Sequence, residues 1–236
     1  MQTLLDALTQ AWDLLASGQG YVADVLSLSI RVSGAAVLLG VLVGMPIGIL
    51  VGIFRFPARR LLIAIIHTGF ALPPVVVGLF VYLLLSRSGP LGSLELLFTP
   101  PAMILAQTVL AAPYVAGITL SAVQSVPSEV RLQARALGAT RLRAMYMHVR
   151  EARIGLLAAV IAGFGAALSE VGAVMMVGGN ILGETRVMTT AIVLETRRGN
   201  FGMAMAFGIV LLGLAFAVNL LLTRMQQAGT ETRRTW

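Results

Sequence analysis

Five long apolar runs constrain this chain more than any other feature of its sequence. Each is long enough, as an α-helix, to cross a hydrocarbon core about 30 Å thick, which takes about 20 residues. The runs are continuous, whereas the strands of a transmembrane β-barrel would appear as alternating segments of about ten residues. The sequence therefore predicts an all-α polytopic membrane protein with five transmembrane helices, at about 26–54, 61–86, 102–124, 154–177 and 203–223.

The composition agrees with a protein that lies in the membrane. Of the 236 residues, 58% are hydrophobic and 11% are charged, whereas a soluble globular domain has about 25% charged residues. Because so few charged side chains cannot cover a soluble surface of this size, a soluble enzyme is excluded. The chain has no cysteine, and its two histidines, His67 and His148, are far apart in the sequence. No metal site is predicted.

The basic residues indicate how the chain is oriented. All 17 are arginine, and they lie between the apolar runs rather than along a stripe with aromatic residues, so nucleic-acid binding is not predicted. If the N-terminus is outside, twelve arginines fall in the inner connections at 55–60, at 125–153 and from 224 onward, and five lie elsewhere. Because inner loops are rich in basic residues, we predict a multi-pass protein of the cytoplasmic (inner) membrane, with its N-terminus outside and its C-terminus in the cytoplasm.

The first 20 residues do not resemble a signal peptide. They lack a basic start and a small-residue cleavage site, and Asp6 and Asp13 interrupt the segment. Apolar side chains share one helical face: Leu4, Leu5, Leu8, Trp12 and Leu15. This pattern predicts an amphipathic helix at the membrane interface.

A stripe of glycines marks one face of the first run. Gly40, Gly44, Gly48 and Gly52 recur at every fourth position. Helices in lipid gain little from burying apolar surface against each other, and small residues allow their backbones to approach closely. We interpret the stripe as packing within the chain, in preference to a seam between two copies.

Two consecutive prolines, Pro73 and Pro74, interrupt the second run. Proline removes a backbone donor and bends or breaks a helix. Within a membrane, the carbonyls that it frees must face protein or water. The prolines therefore predict a bend, which either lines a translocation path or is a static kink in the bundle.

The segment 128–153 is too polar to cross a membrane. It contains good helix formers with one central break at Gly138, and Ser128 is placed to cap the first helix. We predict a helix–glycine–helix element on the inner side. The alternative is a solvated loop that arginine and anionic lipid hold near the membrane.

Within this segment, "ARALGATRLRAM" resembles the coupling motif of ABC importer permeases, EAA followed by three residues and a glycine. Gly138 matches the motif glycine and Ala134 its last alanine, while Leu132 and Gln133 stand where glutamate and alanine are usual. In the family this motif docks into a groove on the ATPase subunit. The resemblance implies that role here for a set of five residues: Ala134, Leu137, Gly138, Ala139 and Arg143.

The residues that follow resemble the tungstate-specific branch of the molybdate/tungstate permeases. The similarity is carried by Arg-Glu-Ala-Arg at 150–153, Ser-Glu-Val-Gly-Ala at 169–173 and Gly-Gly-Asn at 178–180. Thr-Arg at 185–186, the residues 188–196, "LPPVVVGL" at 72–79 and "SGPLG" at 88–92 agree with the same family. The resemblance covers about residues 20–225.

The resemblance implies the fold of a type I ABC importer permease and the import of tungstate. It also implies a homodimer, two copies of a cytoplasmic ABC ATPase and an extracytoplasmic oxyanion-binding protein. This chain has no lysine and no Walker A motif, so we expect no cofactor in it and ATP with Mg²⁺ on the partner ATPase. We divide the chain into an interfacial helix (1–20), a permease domain (21–225, with the coupling segment at 128–150) and a cytoplasmic tail (226–236).

Alternative functions stay open at this point. The cargo could be molybdate or sulfate instead of tungstate. A secondary transporter without an ATPase would show inverted repeats or ion-coupling charges within the membrane, and the sequence has no evident internal repeat. A membrane scaffold is a third interpretation, against which only the resemblance argues.

Candidate residues for the pathway or its gate lie in the second half of the chain and at the prolines. Glu170 is the only acid within the five runs, and because it cannot attract a dianion we assign it a structural or gating role, paired with Arg186 or Arg197. The segment 178–202 is predicted as an outer loop. It forms the mouth of the pathway, docks the binding protein or is required for the fold, and the last two interpretations are slightly favoured. The full candidate set is Pro73, Pro74, Glu170, Thr185, Arg186, Thr189 and Thr190.

Overall fold

The computed structural model describes residues 2–16 and 20–231 of the chain. These residues form eleven α-helices and contain no β-strand, so the all-α prediction is confirmed for this part of the chain. Residues 17–19 of the predicted interfacial segment lie outside the described residues, as do Arg233 and Arg234, which contribute to the predicted orientation. The helices are α1 Gln2–Ala16, α2 Gly20–Ile53, α3 Arg59–Phe70, α4 Pro74–Leu85, α5 Pro100–Ser125, α6 Glu129–Ala136, α7 Arg141–Glu151, α8 Arg153–Leu168, α9 Gly172–Gly178, α10 Met188–Arg197 and α11 Phe201–Glu231.

Three helices are each long and apolar enough to cross a membrane: α2, α5 and α11. They correspond to the first, third and fifth predicted runs. Two further pairs, α3 with α4 and α7 with α8, reach the required length only together, and each pair is bent at a break. By length and composition, the described residues contain three spans, or up to five if each bent pair counts as one, so the predicted number is approximate.

The fourth predicted span, 154–177, is not one continuous helix. Helix α8 ends at Leu168, and α9 begins at Gly172 and has only seven residues. Between them the backbone of Val171 leaves helical geometry, with φ −122° and ψ −50°. The break includes Ser169 and Glu170, the polar residues of this run, while the residues on either side are apolar.

The predicted outer loop at 178–202 also needs correction, because it contains α10. The first four residues of this helix, Met188 to Ala191, are buried. The backbone N–H of Met188 donates to Ser29 Oγ at 2.8 Å, and that of Val187 donates to Thr190 Oγ1 at 3.1 Å. Side-chain hydroxyls thus satisfy two of the free donors at the start of the helix.

The chain divides into two compact units, each assembled from three separate stretches. One unit comprises residues 1–36, 73–108 and 167–219, and the other 37–72, 109–166 and 220–236. In the first, Phe207 is fully buried, and the ring of Tyr21 packs edge-on against it at 5.4 Å. In the second, Val51, Ile66 and Leu120 form the core with Ala116.

The glycine stripe of α2 packs against α5 within the same chain, as predicted. A methyl group at Gly48 would collide with the carbonyl oxygen of Ala116 and lie 2.7 Å from Thr119 Cβ. At Gly52, it would lie 2.8 Å from a methyl group of Val123. The absence of side chains on α2 therefore sets how closely these two helix backbones approach.

Helix α1 has one face buried against the chain and an apolar face left exposed. Ala7 and Ala11 are buried, whereas Leu5 and Trp12 are 59% and 72% exposed. The predicted helix is confirmed over Gln2–Ala16, while its place at the membrane interface stays a prediction. The side chains of Leu4 and Leu15, assigned to the apolar face, are not among the described side chains.

Candidate functional site

Two short helices joined by a left-handed glycine form the segment 128–153. Helix α6 ends at Ala136, Gly138 follows with φ +83°, and α7 begins at Arg141. The N–H of Gly138 donates to the carbonyl of Arg135 at 3.0 Å, and the N–H of Ala139 to that of Ala134 at 2.9 Å. These bonds close the end of α6 around a glycine in the left-handed conformation, which confirms the predicted helix–glycine–helix geometry.

The predicted cap at Ser128 is wrong. Ser128 has helical angles, φ −63° and ψ −24°, and its side chain makes no capping bond. A residue in helical conformation cannot turn its hydroxyl back to the first free N–H groups. The cap that sequence reasoning missed is Thr140, which is extended and accepts from the N–H of Arg143 at 3.3 Å. A threonine soon after a break glycine was the available signal.

The α6–α7 element exposes large apolar side chains. Leu137, beside the glycine, is 88% exposed, and three further side chains on the element are more than half exposed: Leu132, Leu142 and Tyr146. Of the five residues assigned to coupling, Leu137, Gly138 and Arg143 are exposed, Ala139 is half-buried and Ala134 is buried. We name the exposed group of Leu132, Leu137, Leu142 and Tyr146 the apolar coupling face.

Helix α7 is held against the end of α5 through a buried histidine. His148 is 3% exposed, and its Nε2 lies 3.0 Å from the carbonyl oxygen of Val123. Because α7 carries three arginines and a glutamate, we assign it outside the membrane. Burial lowers the pKa of His148 below the usual 6.5; the bond to Val123 opposes this shift and the charge of Arg131 adds to it. The sequence drew attention to His148 only as an isolated histidine.

The second predicted run breaks at its two prolines. Helix α3 ends at Phe70 and α4 begins at Pro74, with Pro73 extended between them. The carbonyl of Phe70, which has lost its helical partner, accepts from the hydroxyl of Tyr114 at 3.3 Å. The predicted bend is confirmed, and protein groups satisfy the carbonyl that it frees.

The break between α8 and α9 lies against the start of α4. A methyl group at Gly172 would be 3.0 Å from a methyl group of Val75. The Glu170 side chain is buried, and its Oε1 accepts from the N–H of Ala173 at 2.8 Å. The Glu170 carbonyl accepts from Thr189 Oγ1 at 2.9 Å. The fold therefore brings together three candidate sites, at the prolines, at Glu170 and at Thr189.

The predicted ion pairs of Glu170 are absent from the described contacts. Arg186 instead donates to the hydroxyl of Tyr21 at 2.8 Å and to Asn180 Oδ1 at 3.3 Å. Arg197 forms no ion pair among the described residues, whereas its neighbour Arg198 pairs with Glu195. The Glu170 carboxylate acts as a cap on α9, so its role in this structure is to stabilise a helix start.

Two of the candidate threonines bond to the backbone and are fully buried. Thr185 Oγ1 donates to the carbonyl of Gly178 and accepts from the N–H of Ile181 at 2.9 Å. Thr190 donates to the carbonyl of Val187 at 3.0 Å. These hydroxyls hold the chain in place, which agrees with a fold requirement for the segment. Arg186 also lines a cavity of about 530 Å³ that includes Arg31 and Asp24.

We expect replacement of Glu170 by leucine to lower the free energy of unfolding by about 1–3 kcal/mol, because the buried N–H of Ala173 would lose its acceptor. Glutamine keeps an acceptor oxygen, so E170Q should lose well under half as much. Thermal unfolding of the two purified variants in detergent measures the difference. Equal losses for leucine and glutamine would show that the charge, and not the hydrogen bond, is what matters at this position.

Comparison with known proteins assigns the family. A family model described as "Binding-protein-dependent transport system inner membrane component" matches residues 44–228. The chain belongs to this family. It is a membrane-spanning permease of the ABC importer type, which confirms the family indicated by the coupling motif.

Two relatives align with most of this permease. It is 40% identical to the tungstate uptake system permease protein TupB of Peptoclostridium acidaminophilum, over 96% of this chain and 100% of the relative. It is 47% identical to a probable anion ABC transporter permease protein of Haloferax volcanii, over 87% of this chain and 91% of that one. Among solved structures, a bacterial alginate ABC transporter covers 98% of this chain and 89% of its own, with a TM-score of 0.74 and 17% identity. That likeness shows the fold.

Proposed function

We propose that this permease imports tungstate, driven by a separate ABC ATPase. The observation that carries the proposal is the 40% identity to a tungstate uptake permease over the whole length of that protein. A permease of this family works with a binding protein and an ATPase, and we propose that the ATPase binds ATP and Mg²⁺. Tungstate, molybdate and sulfate are all tetrahedral dianions, so the cargo is chosen by the binding protein more than by this chain.

The apolar coupling face supports docking of the ATPase at the α6–α7 element. A soluble loop would not leave Leu137 88% exposed beside several other large apolar side chains, since exposed apolar patches mark interaction sites. A neighbouring cavity of about 280 Å³ is lined by Phe54 and Met145 and by three arginines. A partner surface that combines apolar side chains with carboxylates fits this lining.

The orientation follows from this docking. We propose that α6 and α7 lie in the cytoplasm, with the N-terminus outside and the C-terminus inside. The arginine distribution supports it, because the segment that would meet the ATPase also carries the most arginines. Cysteine-accessibility labelling tests it directly in a chain without native cysteine: a cysteine at Leu137 should react only with a membrane-permeant reagent.

We propose that the permease acts as a homodimer. Helix α4 has 12 residues and is therefore about 18 Å long, too short to cross a bilayer by itself. Its apolar side chains Val75, Val76, Phe80 and Leu83 are each more than half exposed. A second copy related by a two-fold axis would cover this face with the same face of its own, and the pathway that we propose lies between the two chains.

The pathway that we propose has little affinity of its own. The threonines at 185 and 190 bond to the backbone, so they are not free to surround an anion. Conduction requires that no site hold the ion tightly, and capture of the anion falls to the binding protein. The structure thus supports a conduit that moves an anion delivered to it.

The proposal is tested by ATP hydrolysis in proteoliposomes that contain the permease, its ATPase and its binding protein. We expect tungstate to stimulate hydrolysis at much lower concentration than molybdate or sulfate. Equal stimulation by all three would leave a general oxyanion importer. If the ATPase neither associates nor responds, the assignment to an ATP-driven importer is wrong, and ion-driven transport without an ATPase would be tested next.

A further inference from the structure

The last turn of α5 contains a carbonyl that its own helix cannot satisfy. In an α-helix the carbonyl of Val123 would accept from the backbone N–H four residues later, which belongs to Pro127. Proline has no N–H. Val123 is fully buried, so water does not reach the residue from solvent. A buried carbonyl without a donor is costly, and another part of the chain must supply one.

His148 supplies the donor from the middle of α7. Its Nε2 lies 3.0 Å from the Val123 carbonyl, and a carbonyl can only accept, so Nε2 carries the hydrogen. The other ring nitrogen, Nδ1, is buried and has no hydrogen-bond partner in the described part of the chain. Protonation at Nδ1 would place an unpaired N–H and a charge in a buried site. The lowered pKa agrees with a neutral ring.

The bond connects two helices that the sequence order does not join directly. Helix α7 is followed by Ala152 alone before α8 begins, so α7 moves α8 through the backbone. Helix α5 has no such link to α7, because α6 lies between them in the sequence. At the same end of α5, Val123 packs against Gly52 of α2. A displacement of α7 can thus reach α5 and the neighbouring turn of α2 through His148.

We infer that His148 is a positioning residue that passes the movement of the α6–α7 element to α5. This inference rests on the proposed docking of the ATPase at that element. In this mechanism, binding of ATP to the partner ATPase moves α7. The backbone transmits the movement to α8, and His148 transmits it to α5. Without the hydrogen bond, α7 still docks the ATPase, but the membrane helices respond only in part.

The experiment compares His148→Leu with His148→Gln in proteoliposomes that contain the ATPase and the binding protein. Glutamine can place an amide N–H near the position of Nε2, whereas leucine removes the donor. The readout is the amount of tungstate transported per ATP hydrolysed, which a purely local packing role would not change in assembled complexes. We expect leucine to lower this ratio at least about fivefold, the lower end of typical coupling between sites, and glutamine to stay close to the original protein.

A matched control uses a hydrogen bond of the same kind elsewhere in the same unit. Gln226 Nε2 donates to the carbonyl of Ile154 at 3.2 Å, which joins α11 to α8 without touching α5. Gln226→Leu should leave the transport ratio unchanged. A transport ratio for His148→Leu equal to the original, or equal losses for leucine and glutamine, would overturn the inference.

A second variant separates coupling from folding. Pro127→Ala supplies the backbone N–H four residues after Val123, and an extension of α5 by two residues beyond Ser125 would bring it to the Val123 carbonyl. In that case the double variant Pro127→Ala/His148→Leu removes the unsatisfied group but does not restore the link to α7. We expect it to recover the thermal stability lost by His148→Leu and to keep the low transport ratio. A double variant with the original ratio would overturn the inference. If the original complex transports nothing, the proposed function fails, and this stability comparison still tests the hydrogen bond.

Discussion

An alanine in place of Gly44 is expected to prevent the permease from accumulating in folded form. Its methyl group would collide with the carbonyl oxygen of Ala112 and lie 3.1 Å from both the backbone nitrogen of Ala116 and Val115 Cβ. Two of these three atoms are backbone atoms of α5, which cannot rotate away as a side chain would. Overpacking a core costs about 1–3 kcal/mol when side chains can adjust, so we expect a loss at or above 3 kcal/mol here.

Gly34 in the same helix is the matched control. A methyl group there would meet nothing within 4 Å, and alanine is the better helix former. Gly34→Ala should therefore fold like the original protein, while Gly44→Ala should give little monodisperse material in size-exclusion chromatography and a lower unfolding temperature. If the two variants behave alike, α2 and α5 are not packed as closely as the structure has them.

A valine in place of Gly138 is expected to disconnect the permease from its ATPase. The glycine has φ +83°, a conformation that costs a β-branched residue about 1–3 kcal/mol. No atom lies within 4 Å of the position that a β-carbon would occupy, so the effect comes from the backbone and not from a collision. To escape the strain, the connection between α6 and α7 would rearrange and displace Leu137. We expect ATPase association to weaken by at least about tenfold.

Asparagine is the informative comparison at this position, because it tolerates the left-handed conformation better than other residues with a side chain. Gly138→Asn should keep most of the association that Gly138→Val loses. Copurification of the ATPase with each variant, and the ATPase activity that it brings, measures the difference. Association that is weakened equally in both variants would indicate that the side chain blocks docking, and that the backbone conformation is not the cause.

Much of the fold could be predicted because the membrane imposes one requirement on every long apolar run. The runs at 102–124 and 203–223 correspond to α5 and α11, since a backbone in lipid must satisfy its hydrogen bonds within the helix. Because proline lacks the N–H that this requirement needs, Pro73 and Pro74 predicted a break in the helix. Gly138 likewise predicted a break between two helices, because it is the one poor helix former in a polar segment of good helix formers.

The rest could not be predicted, because it depends on which side chains meet in three dimensions. The break after Leu168 falls at Ser169 and Glu170 in an otherwise apolar run, but the contacts that stabilise it, from Glu170 to Ala173 and from Thr189 to Glu170, depend on the fold. Helix α10 was missed since its first residues are rich in hydroxyls, which suit a loop until Ser29 and Thr190 are seen to cap the helix. The partner of His148 is 25 residues away in the sequence, and no local pattern points to it.

The pair Pro73–Pro74 has one more consequence, for the work needed to move the second span. Deepening a bend in an ordinary helix stretches or breaks backbone hydrogen bonds, so the helix resists and springs back. Here two of the nitrogens that would have bonded across the joint carry no hydrogen, and the Phe70 carbonyl is already bonded to Tyr114. The joint therefore has no elastic backbone restoring force of that kind. A change of the bend at these prolines would therefore not require a turn of helix to melt.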